Sequence, residues 1–432
     1  MIPYWMTRRN HMIEVIRLSK RAVLRVFRDD RFKQGCLSVQ FVRPMAREES
    51  ASNALLPNVL LRGTELAPDL RAITLRLDDL YGAAIGPLSR RAGDYQMSGL
   101  FCGFIEDKYA LEGDEIFAPM VEFLRELLFA PRLENGIFPE SVVESEKKNL
   151  IATIESRLND KRSYAADMLM RHMCKTDSYG IPRLGDKKAV SEITAESLYR
   201  HYEKLLRESP VEMFYVGSQD AAAVADKLRP LFGDTEAEIP SLPPQTGFCD
   251  GEGGIVEEKM TISQARLSIG YYTPITQRTE QYAAMHLCST ILGGGMTGKL
   301  FTKVREQMSL CYDIGAVFYS SKGIMTVSAG IDSSKREIVE QQVEEQIAAI
   351  CRGEITEMEM ESARQLLLST LSAVNDSPGN IEGYYAIRAV TGGLLSREEY
   401  MEAVATCTPE AVAQAAKTLK KHTVYFLRGE EN

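Results

Sequence analysis

Two donor side chains beside a glycine-rich stretch are the most suggestive chemistry in this chain. Ile291-Leu-Gly-Gly-Gly-Met-Thr-Gly-Lys-Leu-Phe301 is followed by Val304-Arg-Glu-Gln-Met-Ser-Leu-Cys-Tyr312. Arg305 carries a guanidinium and Tyr312 a phenol. Both are hydrogen-bond donors. By residue type alone, Arg305 also fits a solvated helix face and Tyr312 the start of a core strand. The same stretch contains Gly293-x-x-x-x-Gly298-Lys299, most of a phosphate-binding loop. Leu300 stands where a hydroxyl would hold Mg²⁺, and the glycines follow a helical pattern, whereas a phosphate loop follows a strand. Both points argue against nucleotide binding.

Metal ligands are sparse. The five histidines are His11, His172, His201, His286 and His422, and no two are close enough to form a local clamp. His286 sits in an apolar helical run, which suits a packed imidazole. The eight cysteines are scattered, with no C-x-x-C, and read as reduced thiols of a cytoplasmic protein. Lys plus Arg number 51 against 60 Asp plus Glu, a net charge of −9, which argues against a dedicated nucleic-acid binder. No apolar run is long enough to span a membrane, and no apolar h-region follows Arg8, Arg9 and Arg17.

The elements that position these residues come as a repeat. Gln34-Gly-Cys-Leu-Ser-Val-Gln-Phe-Val-Arg-Pro44 aligns with Gln264-Ala-Arg-Leu-Ser-Ile-Gly-Tyr-Tyr-Thr-Pro274. Both read as strands ended by proline. Helical patterns follow at 51–62 and 280–292, then strand-like runs at 95–104 and at 316–319 with 325–330. Long amphipathic helices are expected at 144–160 and 361–376, the second opened by the Thr356-x-x-Glu359 capping box. Thr194 and Thr408 should cap a later helix in each half, with Pro409 at the first helical position. Final strands close the halves at 211–216 and 423–427. Leu70, Ile73, Leu77, Leu80 and Tyr81 recur at helical spacing and should face the core. The proline- and glycine-rich stretch 232–258 reads as a linker between an N-terminal half, 1–231, and a C-terminal half, 259–432. Met1–Asn10 has no counterpart in the repeat. Each half predicts an α+β fold, a mainly antiparallel sheet packed with helices.

The glycine-rich run with Arg305 and Tyr312, on this duplicated plan, resembles the second half of the pitrilysin/insulinase family of zinc peptidases, which includes the mitochondrial processing peptidases. The resemblance covers nearly the whole chain from about Met12. It implies two homologous halves arranged as a clamshell around a peptide, with Arg305 and Tyr312 reaching toward the substrate carbonyl. In active members the first half carries His-x-x-Glu-His on a helix, then Lys-Gly-Thr. The histidines bind zinc and the Glu polarises water. Here the frame reads Ala54-Leu-Leu-Pro-Asn-Val-Leu-Leu-Arg-Gly-Thr64. Ala54 and Asn58 fall on the histidines and Pro57 on the glutamate. Counting from Glu146, the third ligand position falls on Thr153. None of these is a zinc ligand of the family's kind, and Pro57 should disturb a helix interior.

The resemblance therefore implies a non-catalytic member of a bacterial kind, with no cofactor of its own and zinc only in a partner. The leading expectation is a heterodimer with a zinc-bearing homologue, in which this chain supplies Arg305 and Tyr312 and binds a peptide or unfolded segment. Peptides in this family typically add as a strand to a sheet edge. The alternative is a peptide-binding or scaffold protein, possibly homodimeric, without a proteolytic partner. An independent zinc peptidase would need a long-range constellation of the dispersed histidines.

Overall fold

The computed structural model describes residues 13–232, 242–248, 252–393 and 395–430. Met1–Asn10 and much of the linker stretch lie outside the described residues. The first part of the chain runs β1 (Glu14–Arg17), β2 (Ala22–Arg28), β3 (Gln34–Pro44), α1 (Arg47–Leu60), α2 (Leu70–Asp79), β4 (Ala84–Ala92) and β5 (Tyr95–Ile105). It continues through α3 (Phe117–Phe129), α4 (Glu140–Asn159), α5 (Lys161–Met173), α6 (Lys187–Ser191), α7 (Ala195–Glu208), β6 (Val211–Gly217) and α8 (Ala221–Phe232). The second part runs β7 (Gly254–Met260), β8 (Ala265–Tyr272), α9 (Tyr282–Gly293), a π-helix (Leu300–Gln307), β9 (Cys311–Tyr319) and β10 (Ile324–Ile331). It ends with α10 (Arg336–Cys351), α11 (Glu357–Ala373), α12 (Pro378–Thr391), α13 (Arg397–Thr406), α14 (Pro409–Ala416) and β11 (Lys420–Gly429). Strand β7 begins inside the stretch that reads as a linker.

The fold is α+β with two sheets, and the sheets repeat each other. One has the order β1-β2-β6-β3-β5-β4 and the other β7-β11-β8-β10-β9. In both, a parallel pair (β2 with β6, β7 with β11) is followed by antiparallel neighbours. The helices cap as their sequences dictate. The Thr194 and Thr408 side chains accept from the backbone N–H groups of Ser197 and Ala411. Thr356 and Glu359 bond reciprocally as a capping box.

The chain divides into two compact units that are not simply its two halves. The first comprises 1–152, 183–243 and 374–390, and the second 153–182, 244–373 and 391–432. Each unit thus contains a helix drawn from the other part of the sequence. In the first unit, Ile381 and Ala386 of α12 pack on Phe27, Cys36, Phe214 and Val216. This covers one sheet face, and it explains why β3 is buried on both faces instead of alternating. Glu382 anchors the helix there. It is almost fully buried and accepts from Ser38 Oγ (2.6 Å), Gln40 Nε2 (3.0 Å) and Arg90 Nη2 (3.0 Å).

The second unit mirrors this arrangement with α5. Ala165 and Leu169 pack on Tyr425 and Leu427. Met173 sits over Gly270, where an added Cβ would come within 2.5 Å of its sulfur. The Tyr164 hydroxyl donates to Glu258 on β7 (2.8 Å). Asp177 of the following turn pairs with the fully buried Lys322 at 3.0 Å. A buried pair of this kind is costly to break by removing one partner.

Helix α2 departs from expectation. Ile73 and Leu80 are buried, but Leu70 is 48% and Tyr81 38% exposed. Tyr81 adopts a positive φ of 60°, and its hydroxyl donates to Asp114 Oδ2 (2.7 Å) outside the core. Helical spacing alone does not specify where the helix stops and its polypeptide turns toward β4.

Candidate functional site

In the first unit, α1 carries the positions that correspond to zinc ligands. The helix starts behind Pro44, with Glu48 and Glu49 favourably placed in its first turn. It runs through Pro57 without breaking. The proline lacks the N–H that would reach the Asn53 carbonyl, but the run Ala54–Pro57, Val59 and Leu60 is buried, and that packing holds the helix. Ala54 is a buried methyl group. The Asn58 side chain donates back to the Ala54 carbonyl at 3.0 Å. Thr153 is exposed on α4. These residues offer neither anionic nor imidazole donors and do not fit a zinc ion. Among the described residues, no three His, Cys, Asp or Glu side chains are grouped to hold a metal.

The rest of the frame has structural roles. Arg62 forms an ion pair with the buried Glu146 of α4. A Cβ on Gly63 would meet the Pro68 carbonyl oxygen at 2.6 Å. Thr64 Oγ1 accepts from the Ala67 N–H (2.8 Å).

Next to Ala54 lies a buried polar network that the sequence did not disclose. Asn53 is fully buried. Its Nδ2 donates to Gln96 Oε1 (3.0 Å), and Gln96 Nε2 donates to the carbonyls of Ser50 (3.1 Å) and Arg183 (2.7 Å). Asn53 Oδ1 must therefore accept, and it lies 2.7 Å from His201 Nε2. The imidazole carries its proton on Nε2. Burial pushes the His201 pKa down to about 4, with opposing and assisting charges from Glu49, Arg43 and Lys204. Glu49 itself is held down to about 2: burial raises it, but the bonds from Arg43 and Lys204 outweigh that. The only sequence signal was an asparagine directly before the frame. Its partners lie on β5 and α7.

In the second unit, the glycine stretch ends α9. A Cβ on Gly293 would stand 2.7 Å from the Ala316 nitrogen, so glycine lets the helix end close onto β9. Lys299 is buried and paired with Glu359 at 3.0 Å. It is engaged in tying the loop to α11.

The π-helix follows, an uncommon element often found at functional sites. It sets the Arg305 guanidinium over the Phe301 ring, 4.5 Å from its centre. The nearest acid is Glu306, at a loose 3.6 Å. A tight turn with Ser309 at φ 50° leads into β9. There the register slips: Gly330 pairs with Asp313 and Ile331 with Cys311. Tyr312 is the extra residue of this bulge, and bulges re-aim side chains. It is 66% exposed. Cys311, beneath it, has its thiol pushed up to about 11, chiefly by burial. Asp313 adds to this, and Arg305 and Lys335 oppose it. Arg305 and Tyr312 therefore flank one turn, and neither is a core residue. Phe301, Lys335 and the bulge are the parts of this site that sequence reading missed.

His286 is packed, not free. Its ring stacks on Tyr282 and Tyr400, and Nδ1 lies 2.5 Å from the Tyr400 hydroxyl.

Comparison with known proteins agrees with this architecture. Residues 192–367 match the model of the peptidase M16 inactive domain. The chain is 26% identical over 406 residues to the probable inactive metalloprotease YmfF of Bacillus subtilis (strain 168), covering 94% of this chain and 95% of that protein. A conserved protein from Enterococcus faecalis V583 has the same fold, with a TM-score of 0.88 and 27% identity over 97% of this chain and 99% of that one. A peptidase M16 inactive domain from Pseudomonas fluorescens superposes with a TM-score of 0.78 at 18% identity, over 97% and 98% of the two chains.

Proposed function

We propose that this chain, an M16-family peptidase-like protein of the inactive type, works as the non-catalytic subunit of a peptide-processing heterodimer. Its partner would be a zinc-bearing homologue. This chain would present Arg305 and Tyr312 to the carbonyl of the bound peptide. The observation that carries the reading is the state of this pair. The two residues flank one turn, and Arg305 makes only a loose ion pair. A guanidinium and a phenol directed at a polarising carbonyl stabilise negative charge on its oxygen as water adds. The metal and the activated water would belong to the partner, because α1 offers no ligands. No helix among the described residues is long and apolar enough to cross a membrane. Cys36, Cys102, Cys288, Cys311, Cys351 and Cys407 are free thiols, which supports a reducing, cytoplasmic setting.

The test is co-purification of the endogenous chain, followed by reconstitution with the zinc-bearing homologue that accompanies it. The chain alone should contain no stoichiometric zinc by metal analysis and cleave no peptide. Arg305→Ala should lower turnover by the pair by about tenfold or more without dissociating it. Unchanged turnover in that variant would remove the basis of the reading. If the chain carries no homologue with it and still binds peptides, the solitary binding-protein alternative holds.

A further inference from the structure

The second unit contains an open cavity that takes no part in the site described above. It lies between the first two turns of α11 and the first residue of α14, and its volume is about 730 Å³. That falls within the size range of ligand pockets. Two helices begin around it, α11 behind its cap Thr356 and α14 with Pro409 at its first position.

The lining divides by chemistry. Ile355, Met358, Met360 and Pro409 form apolar walls. Met360 is buried, whereas Met358 is 72% exposed at the rim. Glu357, Glu361 and Arg364 complete the lining. They recur at i, i+4 and i+7, so they share one side of α11. Arg364 is already engaged: it donates to Glu361 Oε2 (3.0 Å) and to the Cys407 carbonyl (2.8 Å). Glu361 also accepts from Gln365 (2.8 Å) and remains exposed. Glu357 is exposed and unpaired among the described residues. Glu410, the neighbour of Pro409, is exposed too. Carboxylates therefore outnumber the single, engaged guanidinium.

This composition narrows the occupant. An anion would meet carboxylates and a cation that is already bonded. A wholly apolar group would cover Glu357 without pairing it, and a charge taken from water without a partner is costly. A group with an apolar body and a cationic end suits both parts of the lining. The open rim favours a group carried on a larger molecule. Methionine there is flexible and polarizable, and such side chains recur on surfaces that receive varied partner segments.

We propose that this cavity docks a basic, amphipathic segment of a partner protein. Its apolar side chains would sit among Ile355, Met358, Met360 and Pro409, and a lysine or arginine would pair with Glu357. Apolar burial supplies affinity, and charge supplies selectivity. The cavity shares no residue with the Arg305–Tyr312 turn. The inference goes beyond the subunit role proposed above and is tested without it.

The test is fluorescence anisotropy with the full chain and three labelled twelve-residue peptides. The first carries leucines at i and i+4 flanked by lysines. The second replaces the lysines with glutamates, and the third replaces the leucines with serines. The first should bind at least about tenfold tighter than the second, and the third should not bind. Glu357→Lys should weaken the first peptide by about tenfold, and Met358→Ser by about fivefold. Both positions are exposed, so both variants should melt as the parent does. Glu65→Lys makes the same charge change at an exposed acid of the first unit and should leave binding unchanged. Equal affinity for the first two peptides would overturn the inference, as would an unchanged affinity in Glu357→Lys. Equal weakening by Glu357→Lys and Glu65→Lys would reduce the effect to net charge and overturn it as well. Butylamine that binds as tightly as the first peptide would assign the cavity to a small cation, against the partner segment. Self-association that Glu357→Lys dissolves, with no peptide bound, would assign the cavity to a second copy and overturn the proposal too.

Discussion

Helix α1 in the first unit and the π-helix that follows α9 in the second carry the candidate polar residues of their units, but those residues have opposite environments. On α1, Asn53 is sealed in a network with Gln96 and His201, and Arg62 is tied to Glu146. At the π-helix, Arg305 has one loose ionic contact, and Tyr312 projects from a bulge. Buried, fully bonded polar groups rigidify a fold and are costly to remove. Exposed and loosely held donors contribute little to stability and remain available for ligands. The difference teaches that the first region has been built into the framework, whereas the second leaves its donors exposed and loosely held.

The largest test of that contrast is Asn53→Ala. It would orphan buried groups on Gln96 and His201, and should cost about 3 kcal/mol in urea unfolding. A loss below about 0.5 kcal/mol would be the size of an ordinary surface change and would break the comparison.

Acid should act next most strongly, and through the same region. The His201 pKa lies below its unfolded value, so the unfolded chain takes up a proton first as pH falls. Stability is therefore complete above about pH 6.5 and declines toward pH 4, by about 2 kcal/mol overall. Glu49 adds a further loss only below its unfolded value near 4.5, extending toward 2. Glu49 is therefore silent between pH 6.5 and 4.5, and the His201→Gln comparison picks out the imidazole's part of the slope there. His201→Gln keeps a donor toward Asn53 but cannot titrate, and its unfolding midpoint should be flatter across that interval. An identical slope in both proteins would show that the network is not the sensor.

Gly293→Ala should cost about 1–3 kcal/mol, because the new methyl meets the β9 backbone at Ala316. Gly295→Ala, where an added Cβ makes only ordinary contact with Leu366, should be nearly neutral. Comparing the two melting curves separates glycines that the fold requires from those it does not. The smallest effect is expected for Arg305→Ala, within about 0.5 kcal/mol of the parent. A larger loss would mean that the guanidinium is structural after all.

Much of the framework was legible because it is local. Gln34 stands to Gln264 as Pro44 does to Pro274 and Gly63 to Gly293, one constant offset. Both glycines end a helix against nearby backbone. The strand expected at 34–44 forms over those residues, and the helices expected after each repeated strand form as α1 and α9. The site was legible only in part. Arg305 and Tyr312 are marked by the family resemblance and not by residue type alone, and the slip that turns Tyr312 outward depends on where β10 pairs. Asn53 signals only its own place before the frame, because an asparagine on a helix does not reveal a glutamine and a histidine brought from elsewhere. At Pro57 the helix continues despite the lost backbone bond, because burial of its neighbours holds it.

By itself, the sequence determined what no fold could supply: Ala54 and Pro57 have no group that can bind a metal or carry a proton, whatever surrounds them. It also determined the repeat, because alternation and helical periodicity are properties of short segments. Only the tertiary structure decided which sheet α5 and α12 cover and that Lys299 is bound to Glu359. Periodicity marks a face as apolar without naming the surface it will meet, and that pairing is fixed by packing between residues far apart in the chain.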